Sequence, residues 1–147
     1  RKRTLFPYTT LFRSLIETLV KLEKNEIVPQ KQDDSLSTYA PMLDNENRKI
    51  NWSLPAKNIH NLIRGLSPWP AAYFTMDEKT IKVYKSSYIN DSTDYVPGYI
   101  IKAGKEGIFV KAKDGIVILK EIQMPGKNKM TVEAYLRGNK FPENTIL

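Results

Sequence analysis

Residues 98–123 read GYIIKAGKEGIFVKAKDGIVILKEIQ, three short runs rich in Ile, Val, Phe and Tyr, parted by Gly104 to Gly107 and by Asp114-Gly115. β-branched and aromatic residues in runs of this length, bounded by turn residues, predict antiparallel strands. The Asp-Gly pair predicts a type I′ hairpin, a turn that needs positive φ at both central positions. Working backward, KTIKVYKSSYI and AAYFTMD supply two more such runs, separated by Asp77-Glu78, and the Asn90 to Pro97 loop leads into the quoted stretch. Five short strands with tight turns suggest a small, closed or nearly closed OB-like barrel, because closure removes exposed strand edges.

Helices flank the strands. Ile59, Leu62, Ile63 and Leu66 make an i, i+3, i+4, i+7 stripe, with Ser53 as the expected N-cap, Pro55 in the first turn and an end at SPWP. After the last strand, TVEAYLRG predicts a short helix capped by Thr131, and the tail NKFPENTIL is expected to return to the sheet. Residues 51–147 thus form the expected C-terminal domain. Residues 26–50, with two prolines and many Asn, Asp, Ser and Gln residues, have the composition of an extended linker. Before it, residues 15–25 form an amphipathic helix, with Leu15, Leu19 and Leu22 at helical spacing and Ser14 and Glu17 in a capping-box pattern. A helix this short is marginal alone, so its apolar face implies a partner surface.

Residues 1–14 are set apart from the fold. TLFPYTTLFRS, Thr4 to Ser14, shows no evident helical period and resembles what one reading frame of a common short-read sequencing adapter encodes, so a non-native leader is expected there. The protein would then be longer upstream. This discounts the charge: of the formal +7, four positive charges (Arg1, Lys2, Arg3 and Arg13) lie in the leader without an acidic partner, leaving +3 for the rest. That is a mild basic bias, compatible with phosphate binding but not diagnostic of it.

With no cysteine and one histidine among 147 residues, disulfides, thiolate zinc sites and cysteine nucleophiles are excluded and no transition-metal site is expected. There is no apolar run long enough to span a membrane and no cleavage pattern of an export signal, so a soluble, cytoplasmic monomer is expected, with no membrane partner. Acyl or acid-base chemistry needs a proton acceptor and oxyanion donors together, and no such constellation is visible. His60 lies beside Asn58 and Asn61 on the helix and is read as a partly buried or surface polar residue. Asp33 and Asp34 are read as solvated linker carboxylates. Trp69, between Pro68 and Pro70, could stack a base, but a packed helix-to-strand corner is the expected use; Trp52 is read the same way, and Tyr73, Tyr84 and Tyr88 as core or cross-strand pairs.

The lysines make a better case for binding. Lys79, Lys82 and Lys85 fall three apart, so they do not form one stripe on a regular strand unless a bulge intervenes. Lys111 and Lys113 are expected to share a face. Lys127 and Lys129 flank an Asn in a Gly-containing loop, and Arg137 and Lys140 follow, so these four are expected to form one phosphate-contacting patch on a rim of the barrel.

QDDSLSTYAPML, RKINWSLPAKNIHNLIRGLSPWPAAYF, PGYIIKAGKEGIFVKAKDGIVILKEIQMPGKNKM and AYLRG, in that order, resemble the C-terminal module of the methionyl-tRNA formyltransferase family from Ile16 to Leu147. The ordered set of INWS, IHNLIR, SPWP, DGIVILKEIQ, GKNKM and LRG is specific. The resemblance implies formylation of initiator methionyl-tRNA by 10-formyltetrahydrofolate in translation initiation. The family's catalytic Asn, His and Asp belong to an N-terminal formyltransferase domain with no counterpart here, and His60 does not stand in for them. On this reading the chain holds no catalytic or cofactor-binding residue and is inactive alone. It binds initiator tRNA through Lys127, Lys129, Arg137, Lys140, Lys111 and Lys113, with Lys31 and Tyr39 of the linker running along the RNA. The competing reading is a docking module of a related small-substrate formyltransferase, using sugar nucleotides or folate.

Overall fold

A computed structural model describes residues 7–39 and 42–147 of the chain. It divides into two compact units, Arg1–Pro41 and Met42–Leu147.

In the first unit, helix α1 spans Pro7–Glu23. It begins well before Ser14, so the expected capping box at Ser14 is not formed; instead the Ser14 carbonyl accepts the Thr18 hydroxyl at 2.7 Å from within the helix. The absence of a helical period in the leader is thereby corrected for its described residues. Leu11, Leu15 and Leu19 repeat at spacing four, as do Phe12, Ile16 and Val20, so the leader is in phase with the helix that follows. Proline is favourable in a first helical turn, where its missing N–H costs nothing. Asn25, at φ 54°, ends the helix: its N–H donates to the Leu22 carbonyl and that of Glu26 to Lys21, a Schellman closure. Residues 1–6 of the expected leader lie outside the described residues. Farther on, Asp33 caps a 3₁₀ turn, Asp34–Leu36, accepting the Ser35 hydroxyl at 2.6 Å and the Ser35 N–H at 3.0 Å. Those bonds, the hydroxyl's first, hold the Asp33 carboxyl below its ordinary pKa.

The second unit begins at Met42, so the expected boundary at Asn51 is corrected. Asp44 and Asn47 form a reciprocal capping box around helix α2, Asn45–Arg48. Ile50 is buried and donates its N–H to the Tyr73 carbonyl at 2.7 Å. Residues in the proline-flanked linker composition thus belong to the folded domain, because local capping and one buried side chain outweigh composition.

Helix α3 spans Ala56–Leu66 and buries Ala56, Ile59, Ile63 and Leu66, while Leu62 is only partly buried. Ser53 is not its cap; Pro55 occupies that position without a side-chain bond. The first-turn N–H of Ala56 donates instead to Asp114 Oδ1 at 2.8 Å, a carboxylate 58 residues away in sequence. A carboxylate at a helix N-terminus satisfies an orphan donor and opposes the positive end of the dipole. Asp114→Ala is expected to lower unfolding stability by about 1–2 kcal/mol, measured by urea denaturation, with Asp114→Asn retaining part of the loss.

Strands β1 (Ala72–Met76), β2 (Lys79–Asn90), β3 (Tyr99–Gly104), β4 (Gly107–Lys111) and β5 (Gly115–Gln123) occupy the five expected runs. Two further two-residue strands, β6 (Met130–Thr131) and β7 (Thr145–Ile146), make a sheet of seven, so the expected count of five is corrected. Its order is β1-β2-β5-β4-β3-β7, with β6 on β5 and every ladder antiparallel. The path is an open, curved half-barrel: among the described residues no ladder joins β1 to β7. Trp52 lies at that gap, edge-on to Phe74 of β1 at 5.9 Å between ring centroids and against Gly98 at the start of the β3 region. The indole covers apolar surface there without pairing the backbone of either edge, and its expected burial is met.

The type I′ geometry expected at Asp114-Gly115 falls elsewhere. Asp77 and Glu78, between β1 and β2, have φ of 48° and 62°, whereas neither Asp114 nor Gly115 has positive φ. Gly115 is required for a different reason: a Cβ there would stand 2.4 Å from the Ile89 carbonyl oxygen and 3.2 Å from the Ala56 methyl. β2 and β5 therefore meet at van der Waals contact beneath α3. The register between them shifts at Val83 to Ser86. That bulge moves the buried positions from Ile81 and Val83 to Ser86, and leaves Lys82 and Tyr84 together on the outer face.

Helix α4, Val132–Leu136, is capped as expected by Thr131, whose hydroxyl accepts the Ala134 N–H at 3.2 Å. It buries Val132 and Tyr135, the latter against Phe141 of the tail, and β7 then pairs with β3. Side chains of α3, β1 to β5, α4 and the tail meet in one core; burying each of its isoleucines contributes roughly 1.5–3 kcal/mol.

Candidate nucleic-acid interface

The six expected tRNA contacts separate into three environments. Lys111 is the clearest correction. Only 4 % exposed, it ends the wholly buried strand β4 and donates its ammonium to the Asp91 carbonyl at 2.9 Å. It ties down the β2–β3 loop and is not available to a phosphate. Asp91 is held below its ordinary pKa, first by the Thr93 hydroxyl and to a lesser degree by the nearby Lys111 charge. Lys113 lines the same depression as Lys111, of about 640 Å³, but stands exposed in the β4–β5 turn, where its N–H donates to the Leu54 carbonyl.

Lys127 and Lys129 are both exposed on the loop after β5. Gly126, at φ 70°, turns that loop, and Gln123 Nε2 donates to the Lys127 carbonyl at 2.8 Å, which fixes the backbone from which both ammonium groups extend. Lys129 Nζ is 3.2 Å from Glu121 and 5.3 Å from the centroid of the Tyr84 ring. With the ammonium half exposed, such a pair contributes about 0–1 kcal/mol, so a phosphate competes for it at small cost.

Arg137 caps the end of α4 and lies 3.5 Å from Glu133; it is largely exposed, as is Lys140. Arg137 and Lys140 line two neighbouring depressions of about 350 and 530 Å³, each shared with Lys105, a cation not singled out from sequence. Lys129 thus stands beside Tyr84, and Arg137 and Lys140 stand beside Lys105. Lys31 and Tyr39 belong to the first unit, and both are exposed.

Among the aromatics, Trp69 departs furthest from expectation. Trp69, expected in a packed corner, is 84 % exposed. Tyr73 and Tyr84 are half-buried and Tyr88 is exposed, each engaged at its polar end or edge: Tyr73 donates its hydroxyl to the Asn45 carbonyl at 2.9 Å, Tyr84 donates to Gln123 Oε1 at 2.6 Å, and Tyr88 packs on His60 at 5.4 Å between centroids. His60 is half-buried, with Nδ1 3.0 Å from the Ser86 hydroxyl. Trp69, Arg48, Lys82 and Tyr84 line a further depression of about 540 Å³. Alternation along β2 puts Lys82 and Tyr84 on one outer face, which was readable from sequence; their meeting with Arg48 and Trp69 depends on tertiary packing.

Residues 42–140 match the formyl transferase, C-terminal domain family, and the chain belongs to that family. Within it, the similarity runs to methionyl-tRNA formyltransferases. Over 133 residues, 90% of the chain, it is 46% identical to the methionyl-tRNA formyltransferase of Clostridium novyi (strain NT) and 47% identical to that of Clostridium tetani. The chain spans 43% of the length of either relative. Among solved structures, HypX from Aquifex aeolicus in complex with tetrahydrofolic acid aligns at a TM-score of 0.55 and 18% identity, covering 86% of this chain and 22% of that one, a likeness of fold. A mainly β half-barrel with short flanking helices is thus the architecture of this family member. Among the described residues, no helix is long and apolar enough to cross a membrane.

Proposed function

We propose that this chain is the tRNA-positioning part of a methionyl-tRNA formyltransferase. The observation that carries the reading is the identity of nearly half of 133 aligned residues with proteins of that name. Exposed cations support it physically. Lys113, Lys127, Lys129, Arg137 and Lys140 stand at turns and a helix end, where flexible ammonium and guanidinium groups follow a sugar-phosphate backbone without reading sequence. Lys31 and Tyr39 extend the contact along the segment before the domain.

In this reading the chemistry resides elsewhere in the whole protein. Formyl transfer from 10-formyltetrahydrofolate to the methionine amine needs a base to take the ammonium proton and donors facing the developing oxyanion. We assign both, and the folate site, to the part of the relatives that this chain does not span. The chain's work is to hold the acceptor end of initiator tRNA where that part acts, a contribution through orientation.

The purified chain, given 10-formyltetrahydrofolate and methionyl-tRNA, is expected to yield no formylmethionyl-tRNA while still binding the tRNA at about 50 mM salt, read by fluorescence anisotropy of labelled RNA. Formation of formylmethionyl-tRNA contradicts the division of labour. Failure to bind tRNA at that salt contradicts the tRNA-positioning role and favours a docking module for a small-substrate enzyme.

A further inference from the structure

We propose that the depression lined by Arg48, Trp69, Lys82 and Tyr84 is a stacking subsite for one unpaired RNA nucleotide, adjoining the loop that carries Lys127 and Lys129. The proposal deepens the tRNA-binding reading and rests on it for the identity of the natural RNA.

Four observations converge there. The Trp69 indole is 84 % exposed, whereas the only other tryptophan, Trp52, is buried. It cannot readily collapse onto the core, because its neighbours are prolines and the chain is pinned just beyond: Ala71 and Ala72 are buried, and the Ala71 N–H donates to the Leu66 carbonyl at 2.9 Å. A flat, rigidly presented indole loses little conformational freedom when a base covers it.

Cations stand around it. Lys82 projects from the outer face of β2 and makes no ion pair among the described residues. The Arg48 guanidinium is held by three uncharged oxygens: the Asp44 carbonyl at 3.0 Å from Nε, the Pro70 carbonyl at 3.2 Å from Nη1, and Asn45 Oδ1. Those bonds fix the fork in place and leave its charge uncompensated. It also lies 5.8 Å from the centroid of the Tyr73 ring. The one acid lining the depression, Asp44, has its carboxylate turned to the Asn47 N–H at 2.9 Å as the cap of α2. Two positive charges against one capped negative charge leave the site suited to a phosphate.

An aromatic face with cations at its rim matches a nucleotide, base on the ring and phosphate on the charges. Tyr84 supplies the far wall, its hydroxyl anchored on Gln123 and its ring approached by Lys129. A volume of about 540 Å³ accommodates a single nucleotide. Bases in a duplex present no free face to such a ring, so the subsite selects for an unpaired position in the RNA.

The test uses the 147-residue chain with three RNAs: a single-stranded adenylate dodecamer, a duplex of the same length, and initiator tRNA. The dodecamer is expected to quench tryptophan emission and the duplex is not. Trp69→Ala is expected to abolish the quench and weaken dodecamer binding about tenfold, with Trp69→Tyr restoring most of the affinity and circular dichroism unchanged in both. Equal dodecamer binding by Trp69→Ala and the parent chain, or equal quenching by the duplex, overturns the subsite. So does a Trp69 that no RNA quenches but that is protected when the remaining part of the Clostridium novyi relative is added, which assigns the depression to protein docking. Trp69-dependent binding of the dodecamer without tRNA binding leaves the subsite standing and removes the tRNA reading; tRNA binding indifferent to both dodecamer competition and Trp69→Ala does the reverse.

Discussion

Gly107→Ala is expected to destabilise the domain by about 3–5 kcal/mol, enough to remove much of the 5–15 kcal/mol that separates a typical folded domain from its unfolded chain. Gly107 opens β4 at φ 139°, a conformation that L side chains rarely adopt. A Cβ there would stand 2.4 Å from the Leu119 carbonyl oxygen and 2.7 Å from Ile118 Cγ2. The first of these is backbone in the centre of the sheet, which cannot yield without breaking the β4–β5 ladder. Gly138→Ala is the control: nothing lies within 4 Å of its Cβ position, and its expected change is within about 0.5 kcal/mol. Urea unfolding of the two variants, compared at equal m-value, reads the difference. A Gly107→Ala protein as stable as the parent would mean that β4 and β5 do not approach as closely as the structure has them.

The strands and turns of this sheet were legible in the sequence to different degrees. The strands were fully readable, because runs of Ile, Val, Phe and Tyr between turn residues have few other uses, and all five appear where that pattern puts them. Turn chemistry was less so. Asp114-Gly115 carries the commonest type I′ signature, yet that geometry belongs to Asp77-Glu78. Gly115 is needed for close approach to Ile89, and Asp114 for a helix N-terminus 58 residues away. A long-range constraint satisfied by a residue of turn type is indistinguishable, in sequence, from a turn. The domain boundary moved for a similar reason: Asp44, Asn47 and Ile50 look like linker, and only a reciprocal cap and one buried isoleucine make them domain.

The largest functional effect is expected from neutralising Lys127, Lys129, Arg137 and Lys140 together as glutamines. If each meets one phosphate, counterion release gives the four a combined salt exponent of roughly 3 to 4, so affinity for initiator tRNA near physiological salt falls by up to about a thousandfold. Stability is expected to change little, since all four are exposed and the ion pairs of Lys129 with Glu121 and Arg137 with Glu133 lie at the surface. With two phosphates to each pair, the Lys127/Lys129 and Arg137/Lys140 double variants are each expected to lose about half of the exponent. Lys111 is left out deliberately: its ammonium holds the Asp91 carbonyl, and replacing it would disturb the loop and β4 before it touched RNA binding.

The candidate site was therefore only partly legible. Charge in a loop is visible as charge, and Lys127, Lys129, Arg137 and Lys140 do stand in solvent. Whether a lysine at a strand end faces solvent or core, as with Lys113 against Lys111, depends on how the next turn packs. Trp69 was harder still, since prolines on either side suit a buried corner and a projecting ring equally well, and the depression around it is assembled from α2, the turn after α3 and β2.

In the proposed division of labour, this domain grips tRNA through cations on its surface and leaves chemistry to the rest of the protein. It is tested most directly by titrating the chain and its quadruple glutamine variant with initiator tRNA across about 50–200 mM salt. A steep log-log fall in affinity is expected for the parent chain, and a slope shallower by roughly 3 to 4 for the variant. Equal slopes and equal affinities for the two proteins would contradict it.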